Sequence, residues 1–459
     1  MVDSESGRTP PRIIVDDPTP AGIAGAIGRM IRSGELIAGD RLPTVRELSA
    51  ELGVSPATVS HGWRALSRSG LVESRGRSGT FVTQSSSPVV PRRTKALART
   101  HGQIGLDLSK GSPDPDLLPE IGAALAAVVS RAATTSYHDH PVVPELGNLL
   151  RADWPVTAES LTVVDGALDG VARAVATIAQ FGDRAIVENP TFPQFLDLIE
   201  SHGLHPIPVS LDADGPVPKE FADALAQSPT VALLQPRAHN PTGISITPAR
   251  ARELARLMRG TGCIAIEDDH SGGAGGPGDV SIGRWLPEQV VHIRSFSKSH
   301  GPDLRIAAMS GPRSVLDRLT ATRMLGPGWT PRLLQRLLYE LLSDESTAAS
   351  VAAARVEYQR RRDRLQSALH AHGIPVPGTA GMNLWIPVAD ERHAQIHLAA
   401  NGIQVASGEP FIIAEADRDA RSGDHIRVTI AALADGFESV AATLAAAAVT
   451  GEPDFYPVW

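Results

Sequence analysis

The feature of the sequence that most constrains its fold is a series of short apolar runs that alternate with amphipathic helical segments from about residue 105 onward. Strands that are separated by helices cross over and pair in parallel, and the helices cover the sheet. The pattern therefore predicts an α/β fold with a large, mostly parallel sheet. The clearest runs lie at 161–164, 186–188, 231–234, 264–266 and 290–294.

One lysine comes shortly after the last of these runs. The whole sequence contains only Lys95, Lys110, Lys219 and Lys298, and Lys298 lies between serines. Unlike arginine, a lysine loses its proton near neutral pH when burial or neighbours lower its pKa, and its amine can then attack a carbonyl. On residue types alone, a surface lysine in a loop of small residues is an equal alternative.

The stretch around this lysine resembles a known signature. SFSK at 295–298, followed by Pro302 and Arg305, is similar to the Schiff-base motif of fold-type I aminotransferases, which use pyridoxal 5′-phosphate (PLP). The resemblance implies that Lys298 forms the Schiff base and is the catalytic residue. It also implies that Ser295 and Arg305 hold the cofactor phosphate, the arginine with a planar fork of donors.

Two other strand ends match cofactor positions of that family. The run at 161–164 leads through a glycine turn into a helix, whose free N–H groups and dipole favour a phosphate. Relatives often have polar side chains there, so the resemblance assigns phosphate binding in this chain to the backbone of Ala167 and Leu168. It assigns Phe192 to stacking on the pyridine ring, with a core phenylalanine as the alternative.

The motif NPTG at 240–243 and the acidic residues after 264–266 extend the resemblance. It implies that Asn240 contacts the 3′-oxygen of PLP and that Asp268 pairs with the pyridine nitrogen, with Asp269 as the fallback. A carboxylate there makes the ring an electron sink. His270 stands where relatives usually have a tyrosine, and it can donate to the 3′-oxygen only in one tautomer or when charged. The segment 272–278 is expected to be a flexible loop.

The C-terminal part, at about 340–459, is expected to form a smaller α+β domain. Its strand pattern at 425–430 contains Arg427, which matches the family arginine that binds the substrate carboxylate; an arginine on an edge strand is the alternative. Tyr137 matches a residue that reaches the cofactor phosphate of a partner subunit. Long helices are predicted at 330–342 and 351–371, and the second carries a group of arginines expected on a solvated face: 355, 360, 361, 362 and 364.

A different module precedes the sheet. Thr44 and Glu47 have the spacing of a capping box, and Ser55 with Pro56 marks the start of a further helix after a glycine-containing turn. This is the pattern of a helix-turn-helix. Two short strand patterns joined by an arginine- and glycine-rich tip follow it and predict a wing. Residues 20–82 as a whole resemble the winged helix of the GntR regulators.

That resemblance implies binding to double-stranded DNA. Residues 25–82 hold eight arginines and five acidic residues, a local excess of 8 − 5 = +3 in a chain whose net charge is −8. Pro56 and Ser60 replace arginines that contact phosphate in many relatives, so DNA affinity is expected to rest on dimerisation. A winged helix that binds protein is the alternative. The residues expected at the DNA are Arg46, Ser55, Thr58, Arg77 and Gly79.

These patterns predict a tail at 1–20, a winged helix at 21–83, a linker at 84–104 and a PLP domain at 105–459. Cys263 is the only cysteine, so no intrachain disulfide is expected. The N-terminal residues include Asp3 and Glu5 without an apolar run, which argues against a signal peptide. No apolar run reaches the ~18 residues that span a bilayer. We expect a cytoplasmic protein without a metal site.

The combination resembles the MocR/GabR class of bacterial transcription regulators, which dimerise head to tail. The resemblance implies a homodimer that binds operator DNA and senses an amine, an amino acid or a vitamin B6 ligand, with slow or no transamination. A working aminotransferase with an appended winged helix is the competing interpretation. A regulator that no longer binds PLP is disfavoured, because Asn240, Asp268, Lys298 and Arg305 are all present.

Overall fold

A computed structural model of the chain describes residues 13–15, 17–68, 71–83, 92–97, 105–131, 136, 140–276, 278, 280–413 and 424–450. The chain divides into two compact units. The first is built on the residues before 93 and also takes in 179–184 and 196–206, and the second holds the remainder.

The first unit contains a three-helix arrangement whose helices begin at the predicted caps. Thr19 caps the first helix by accepting from the Gly22 N–H at 3.1 Å. The capping box is confirmed, since Thr44 Oγ1 accepts from the Glu47 N–H at 3.2 Å and Glu47 Oε2 accepts from the Thr44 N–H at 2.7 Å. The helices are α1 (Pro20–Ser33), α2 (Val45–Leu52) and α3 (Pro56–Arg68).

The wing follows as a short antiparallel hairpin. Strands β1 (Val72–Ser74) and β2 (Thr80–Val82) pair with Val72 opposite Val82. Apolar side chains of the helices and of both strands bury one core, which includes Ile23, Ile27 and Leu66. The winged-helix prediction is therefore confirmed.

The second unit is organised around an eight-stranded sheet in the order β4-β11-β10-β9-β8-β5-β6-β7. The pairs β10–β9, β9–β8 and β8–β5 are parallel, whereas β11 is antiparallel to both of its neighbours. The predicted α/β class is thus confirmed. The strands are β4 (Ser160–Val164), β5 (Arg184–Asn189), β6 (His205–Asp212), β7 (Gly215–Pro216), β8 (Val231–Leu234), β9 (Ile264–Asp269), β10 (Val290–Ser295) and β11 (Ala307–Gly311).

Helices connect these strands and bury their apolar faces against the sheet. Residues Val171, Ala174 and Val175 of α7, for example, are fully buried. The helices in this part of the chain are α4 (Arg92–Leu97), α5 (Gly122–Arg131), α6 (Pro144–Ala152), α7 (Ala167–Ile178), α8 (Pro193–Ser201), α9 (Pro218–Leu225), α10 (Pro248–Met258), α11 (Arg313–Met324) and α12 (Arg332–Ser343).

The C-terminal part forms a smaller α+β layer. Its antiparallel sheet has the order β12-β15-β14, and β13 pairs in parallel with β3. Helices cover this sheet and share a separate core with it. The elements are β3 (Leu106–Asp107), α13 (Glu345–Ala371), β12 (Asn383–Pro387), α14 (Glu391–Ala400), β13 (Ile403–Gln404), β14 (Ala406–Ser407), β15 (His425–Thr429) and α15 (Phe437–Ala448).

Two of the arginines predicted on a solvated face of α13 are buried instead. Arg361 is 5% exposed and Arg362 is fully buried. Arg361 pairs with Asp114 at 2.8 Å, and Arg362 donates to the carbonyl oxygen of Asn383 at 2.6 Å. The prediction was wrong for these residues because their guanidinium groups donate to buried backbone carbonyl oxygens of the C-terminal part.

The structure adds detail to two segments without a predicted helix or strand. Residues Gly272–Ala274 form a buried 3₁₀ turn, and a Cβ built on Gly272 would lie 2.3 Å from the carbonyl oxygen of Ser295. This part of the glycine-rich segment is therefore packed rather than flexible. The predicted linker contains helix α4. In the part of the chain that the structure describes, no helix is long and apolar enough to cross a membrane.

Candidate functional site

A cavity of about 380 Å³ lies at the ends of the strands of the large sheet. Ligand sites of open α/β sheets form at the carboxyl ends of the strands, where loops diverge. The cavity gathers four of the predicted site residues, Phe192, Asn240, His270 and Lys298, with Arg427 from the C-terminal sheet. Its further lining residues are Thr94, Ser109, Lys110, Gly111, Ser112, Gln194 and Gln235.

Lys298 lies in the turn after β10 and is half-buried. Burial and, to a smaller extent, the positive charge of Arg427 lower the pKa of its amine to about 8, while the carboxylate of Asp268 opposes both effects. About a tenth of the amine is therefore unprotonated at pH 7. This is the state in which an amine acts as a nucleophile.

The two aspartates at the end of β9 have different partners. Asp269 is held by Arg237, whose Nη2 lies 2.6 Å from Oδ2. Asp268 accepts from Gln235 Nε2 at 3.0 Å through Oδ2, while its buried Oδ1 has no hydrogen-bond partner among the described residues. Burial raises the pKa of Asp268 to about 7. The structure therefore leaves Asp268 with a carboxylate oxygen available for a ligand, whereas Asp269 is engaged in an ion pair.

Arg427 lies on the central strand of its sheet, so the alternative of an edge-strand arginine is excluded. The side chain is buried and donates to the carbonyl oxygen of Ser109, and its Nη1 lies 3.5 Å from Asn240 Oδ1. Its Nε has no hydrogen-bond partner in the described part of the chain. A buried guanidinium with spare donors is suited to an anionic ligand such as a carboxylate.

His270 cannot replace a tyrosine as a donor at neutral pH. Its Nε2 lies 3.0 Å from the carbonyl oxygen of Ala238, and since a carbonyl only accepts, Nε2 carries the proton. Burial lowers the pKa of His270 to about 4, so the ring is neutral at pH 7. Nδ1 is then an acceptor, and the tautomer that would donate to a 3′-oxygen from Nδ1 is not present.

Of the residues predicted at the phosphate, Arg305 lies beside the first turn of α7, which holds Ala167 and Leu168. Gly166, in front of this helix, has a φ of +104°, and a Cβ built on it would lie 3.1 Å from Arg305 Nη2. The glycine therefore lets the guanidinium approach the helix end, where the N–H groups of Ala167 and Leu168 belong to the first turn. Ser295, at the end of β10, is buried and its Oγ accepts from the Ser297 N–H at 3.3 Å.

Phe192 and Tyr137 complete the predicted cofactor residues. Phe192 is half-buried, lines the cavity and contacts Phe195 edge to face at a centroid distance of 5.5 Å. It is therefore neither a fully buried core residue nor a free surface residue. Tyr137 lies outside the described residues.

Several residues of the cavity were not predicted from the sequence. Gln235 follows the end of β8, and its role depends on a contact with Asp268 of β9 that a single strand pattern does not reveal. Ser109 to Ser112 follow the short strand β3, so a polar segment after a strand was the available signal. Thr94 comes from helix α4, for which the sequence offered no signal.

In the winged helix, the predicted DNA residues occupy the second and third helices and the wing. Arg46 is exposed on α2. Ser55 is exposed and caps α3 by accepting from the Thr58 N–H at 3.1 Å. Gly79 has a φ of +111°, and a Cβ on it would lie 2.8 Å from Arg41 Nε. The side chain of Arg77 lies outside the described part of the chain.

The described residues contain no group of three or more His, Cys, Asp or Glu side chains that could hold a metal ion.

Comparisons with known families cover both units. Residues 103–437 match the family described as aminotransferase class I and II. Residues 20–82 match the bacterial regulatory proteins of the gntR family.

Curated relatives share this organisation over most of their length. The chain is 34% identical to the vitamin B6 salvage pathway transcriptional repressor PtsJ of Salmonella typhimurium, over 92% of this chain and 96% of the relative. It is 26% identical to the HTH-type transcriptional regulator TauR of Rhodobacter capsulatus, over 83% of this chain and 87% of that protein. A solved kynurenine aminotransferase of Pyrococcus horikoshii, in complex with PMP, matches 79% of this chain and 95% of its own with a TM-score of 0.68 at 19% identity, which shows the shared fold.

Proposed function

Because the chain belongs to the aminotransferase class I and II family and carries an N-terminal domain of the GntR family, we propose that it is a PLP-dependent transcription regulator. The winged helix would bind operator DNA, and the aminotransferase-type domain would bind PLP and sense a ligand. The observation that carries the proposal is one chain in which a winged helix precedes a cavity lined by Lys298, Asn240 and Arg427. We also propose the domain limits that the sequence predicts, with the winged helix at 21–83, the linker at 84–104 and the PLP domain at 105–459.

The residues present fit PLP. Asp268 has a buried oxygen without a partner in the described chain, as a pairing with a protonated pyridine requires. Gly166 leaves room for Arg305 at the first turn of α7, as a phosphate site requires. Ser295, Ala167 and Leu168 would complete that site.

The remaining residues would act on the ring and its substituents. Lys298 would hold PLP covalently through Nζ, and Asn240 would bind the 3′-oxygen. Phe192 would lie against the ring, while His270 would contribute an acceptor rather than a donor. When bound, PLP supplies an electrophilic carbon and a ring that withdraws electrons.

We propose a vitamin B6 compound as the first candidate for the sensed ligand. The support is the 34% identity, over nearly the whole of both chains, to a repressor named for vitamin B6 salvage. An amine or amino acid is the second candidate, because Arg427 offers donors to a carboxylate beside Lys298.

A working aminotransferase is the competing function. Lys298, Asp268 and Arg427 are compatible with it. A regulator needs only a ligand that binds two states unequally, and rapid turnover would erase its signal. Keto-acid production at about 1 per second or faster would favour the enzyme.

Dimerisation is part of the proposal. Family resemblance implies a homodimer in which Tyr137 of one protomer approaches the cofactor phosphate of the other. A dimer would also place two winged helices on one operator and raise the number of phosphate contacts. Sedimentation of the purified protein with and without PLP measures this directly.

The experiment that tests the proposal locates the cofactor. The protein is loaded with PLP, reduced with borohydride and digested, and the labelled peptide is identified by mass spectrometry. We expect the label on Lys298 alone, its loss in Lys298→Ala and its retention in the control Lys219→Ala, whose lysine is exposed and paired with Asp223. A label on Lys110, which lines the same cavity, would contradict the assignment.

A further inference from the structure

Gln235 is a buried residue that no pattern in the sequence singles out. It follows β8, is 2% exposed and lines the cavity that contains Lys298. A buried side-chain amide must satisfy two donors and one acceptor, so its partners define what it holds in place.

The amide of Gln235 joins two of the groups proposed to contact PLP. Its Nε2 donates to Asp268 Oδ2 at 3.0 Å. Its Oε1 accepts from the backbone N–H of Asn240 at 2.9 Å. These partners also define the orientation of the amide, because a carboxylate only accepts and an N–H only donates.

The backbone of Gln235 is anchored as well. Its N–H donates to Glu188 Oε2 at 2.8 Å, and Glu188 is itself buried beneath the site. Movement of Gln235 would therefore disturb the ends of β5, β8 and β9 together. The side chain has little freedom to find other partners.

We propose that Gln235 is a positioning residue that fixes the Asp268 carboxylate and the turn at Asn240 relative to each other. Asp268 Oδ1 then stays available for the cofactor ring. The inference rests on the proposed PLP function and deepens it. A hydrogen bond at Oδ2 restrains rotation of the carboxyl group, which leaves the other oxygen pointing away from Gln235. An apolar side chain at 235 would leave Oδ2 and the Asn240 N–H without partners.

The charged groups around Asp268 favour an uncharged side chain at position 235. Glu188 lies on β5, Asp269 is adjacent on β9, His292 lies on β10, and Lys298 follows β10. Burial raises the pKa of Glu188 well above its usual value, and the negative charge of Asp268 adds to the effect. A further carboxylate at 235 would add repulsion in a site that already concentrates acidic groups.

The test is a double-mutant cycle on PLP affinity. Dissociation constants for PLP are measured by absorbance titration of the apo-protein for the parent, Gln235→Met, Asp268→Asn and the double variant. Gln235→Glu is added because it keeps the acceptor for Asn240 and removes the donor to Asp268. Gln289→Met is the matched control, since Gln289 donates to two backbone carbonyl oxygens at 2.8 and 2.9 Å at the other end of β9.

We expect Gln235→Met and Gln235→Glu to weaken PLP binding about 10-fold or more, as loss of a hydrogen bond to a charged group predicts. In the Asp268→Asn background Gln235→Glu, which keeps the acceptor for the Asn240 N–H, should alter affinity by less than about 3-fold, because the carboxylate it acts through is gone. Gln235→Met also removes the acceptor for Asn240 and should lose more. Gln289→Met should bind PLP like the parent. Thermal unfolding of each apo-variant reports whether the fold is kept.

An equal loss for Gln235→Glu in both backgrounds would overturn the inference, because it would show a structural effect that does not pass through Asp268. Unchanged PLP affinity of both Gln235 variants in the parent background would overturn it as well. Failure of the parent to bind PLP would instead overturn the proposed function and the inference with it.

Discussion

The lowered pKa of Lys298 gives the sharpest prediction about the cofactor site. Its ordinary value is 10.5, and burial together with Arg427 brings it to about 8. At pH 8 about half of the Lys298 amine is then unprotonated, against about 0.3% for an amine with the ordinary pKa, a ratio of about 150. We expect the nucleophilicity of Lys298 to rise with pH around a midpoint of about 8 and to level off about one to two pH units above it.

Two substitutions should move this titration in opposite directions. Arg427→Ala removes a positive charge that disfavours the protonated amine, so the pKa of Lys298 should rise. Asp268→Asn removes a negative charge that favours the protonated amine, so the pKa should fall. Both changes act on the same amine, and the opposite signs separate electrostatics from a general loss of structure.

The assay is competitive labelling of the apo-protein with trace acetic anhydride between pH 6 and 11, followed by mass spectrometry of the lysine peptides. Lys219 is the internal reference, because a hydrogen bond from its amine to Asp223 raises its pKa. A midpoint for Lys298 as high as that of Lys219, or shifts of the same sign in both variants, would refute the electrostatic reasoning.

Other predictions concern DNA binding and stability. Arg46→Ala should weaken DNA binding, lower the slope of log affinity against log salt by about 1 and leave the PLP spectrum unchanged; an unchanged slope would remove Arg46 from the interface. Arg362→Met should lower the free energy of unfolding by about 2–4 kcal/mol, because the carbonyl oxygens of Gly381 and Asn383 lose their donor. The exposed control Arg355→Met should change it by less than about 0.5 kcal/mol in the same denaturant titration. An equal effect of both changes would contradict the buried role of Arg362.

Much of the fold follows from local patterns. The apolar runs predicted β4, β5, β8, β9 and β10, since a buried strand in a parallel sheet needs a nearly continuous apolar segment. The caps at Thr44 and Ser55 predicted two helix starts, because free N–H groups at a helix end need side-chain acceptors.

Contacts between distant segments could not be predicted in the same way. Asp268 and Asp269 are neighbours in sequence, and their partners distinguish them: Arg237 pairs with Asp269, whereas Gln235 donates to Asp268. The burial of Arg362 depends on the carbonyl oxygens of 381–383, which come together with α13 only in the folded chain. The neutral state of His270 likewise depends on burial and on a carbonyl oxygen of another loop.

The central claim is that occupancy of the cofactor cavity changes DNA affinity. The most direct measurement is the fluorescence anisotropy of a labelled duplex from the gene's own upstream region, titrated at constant salt with apo-protein and with PLP-loaded protein. We predict dissociation constants that differ by about 5-fold or more, as a coupling of at least about 1 kcal/mol requires. Lys298→Ala should bind the duplex with an affinity that PLP does not alter. Equal affinities of the apo and loaded parent protein would contradict the account.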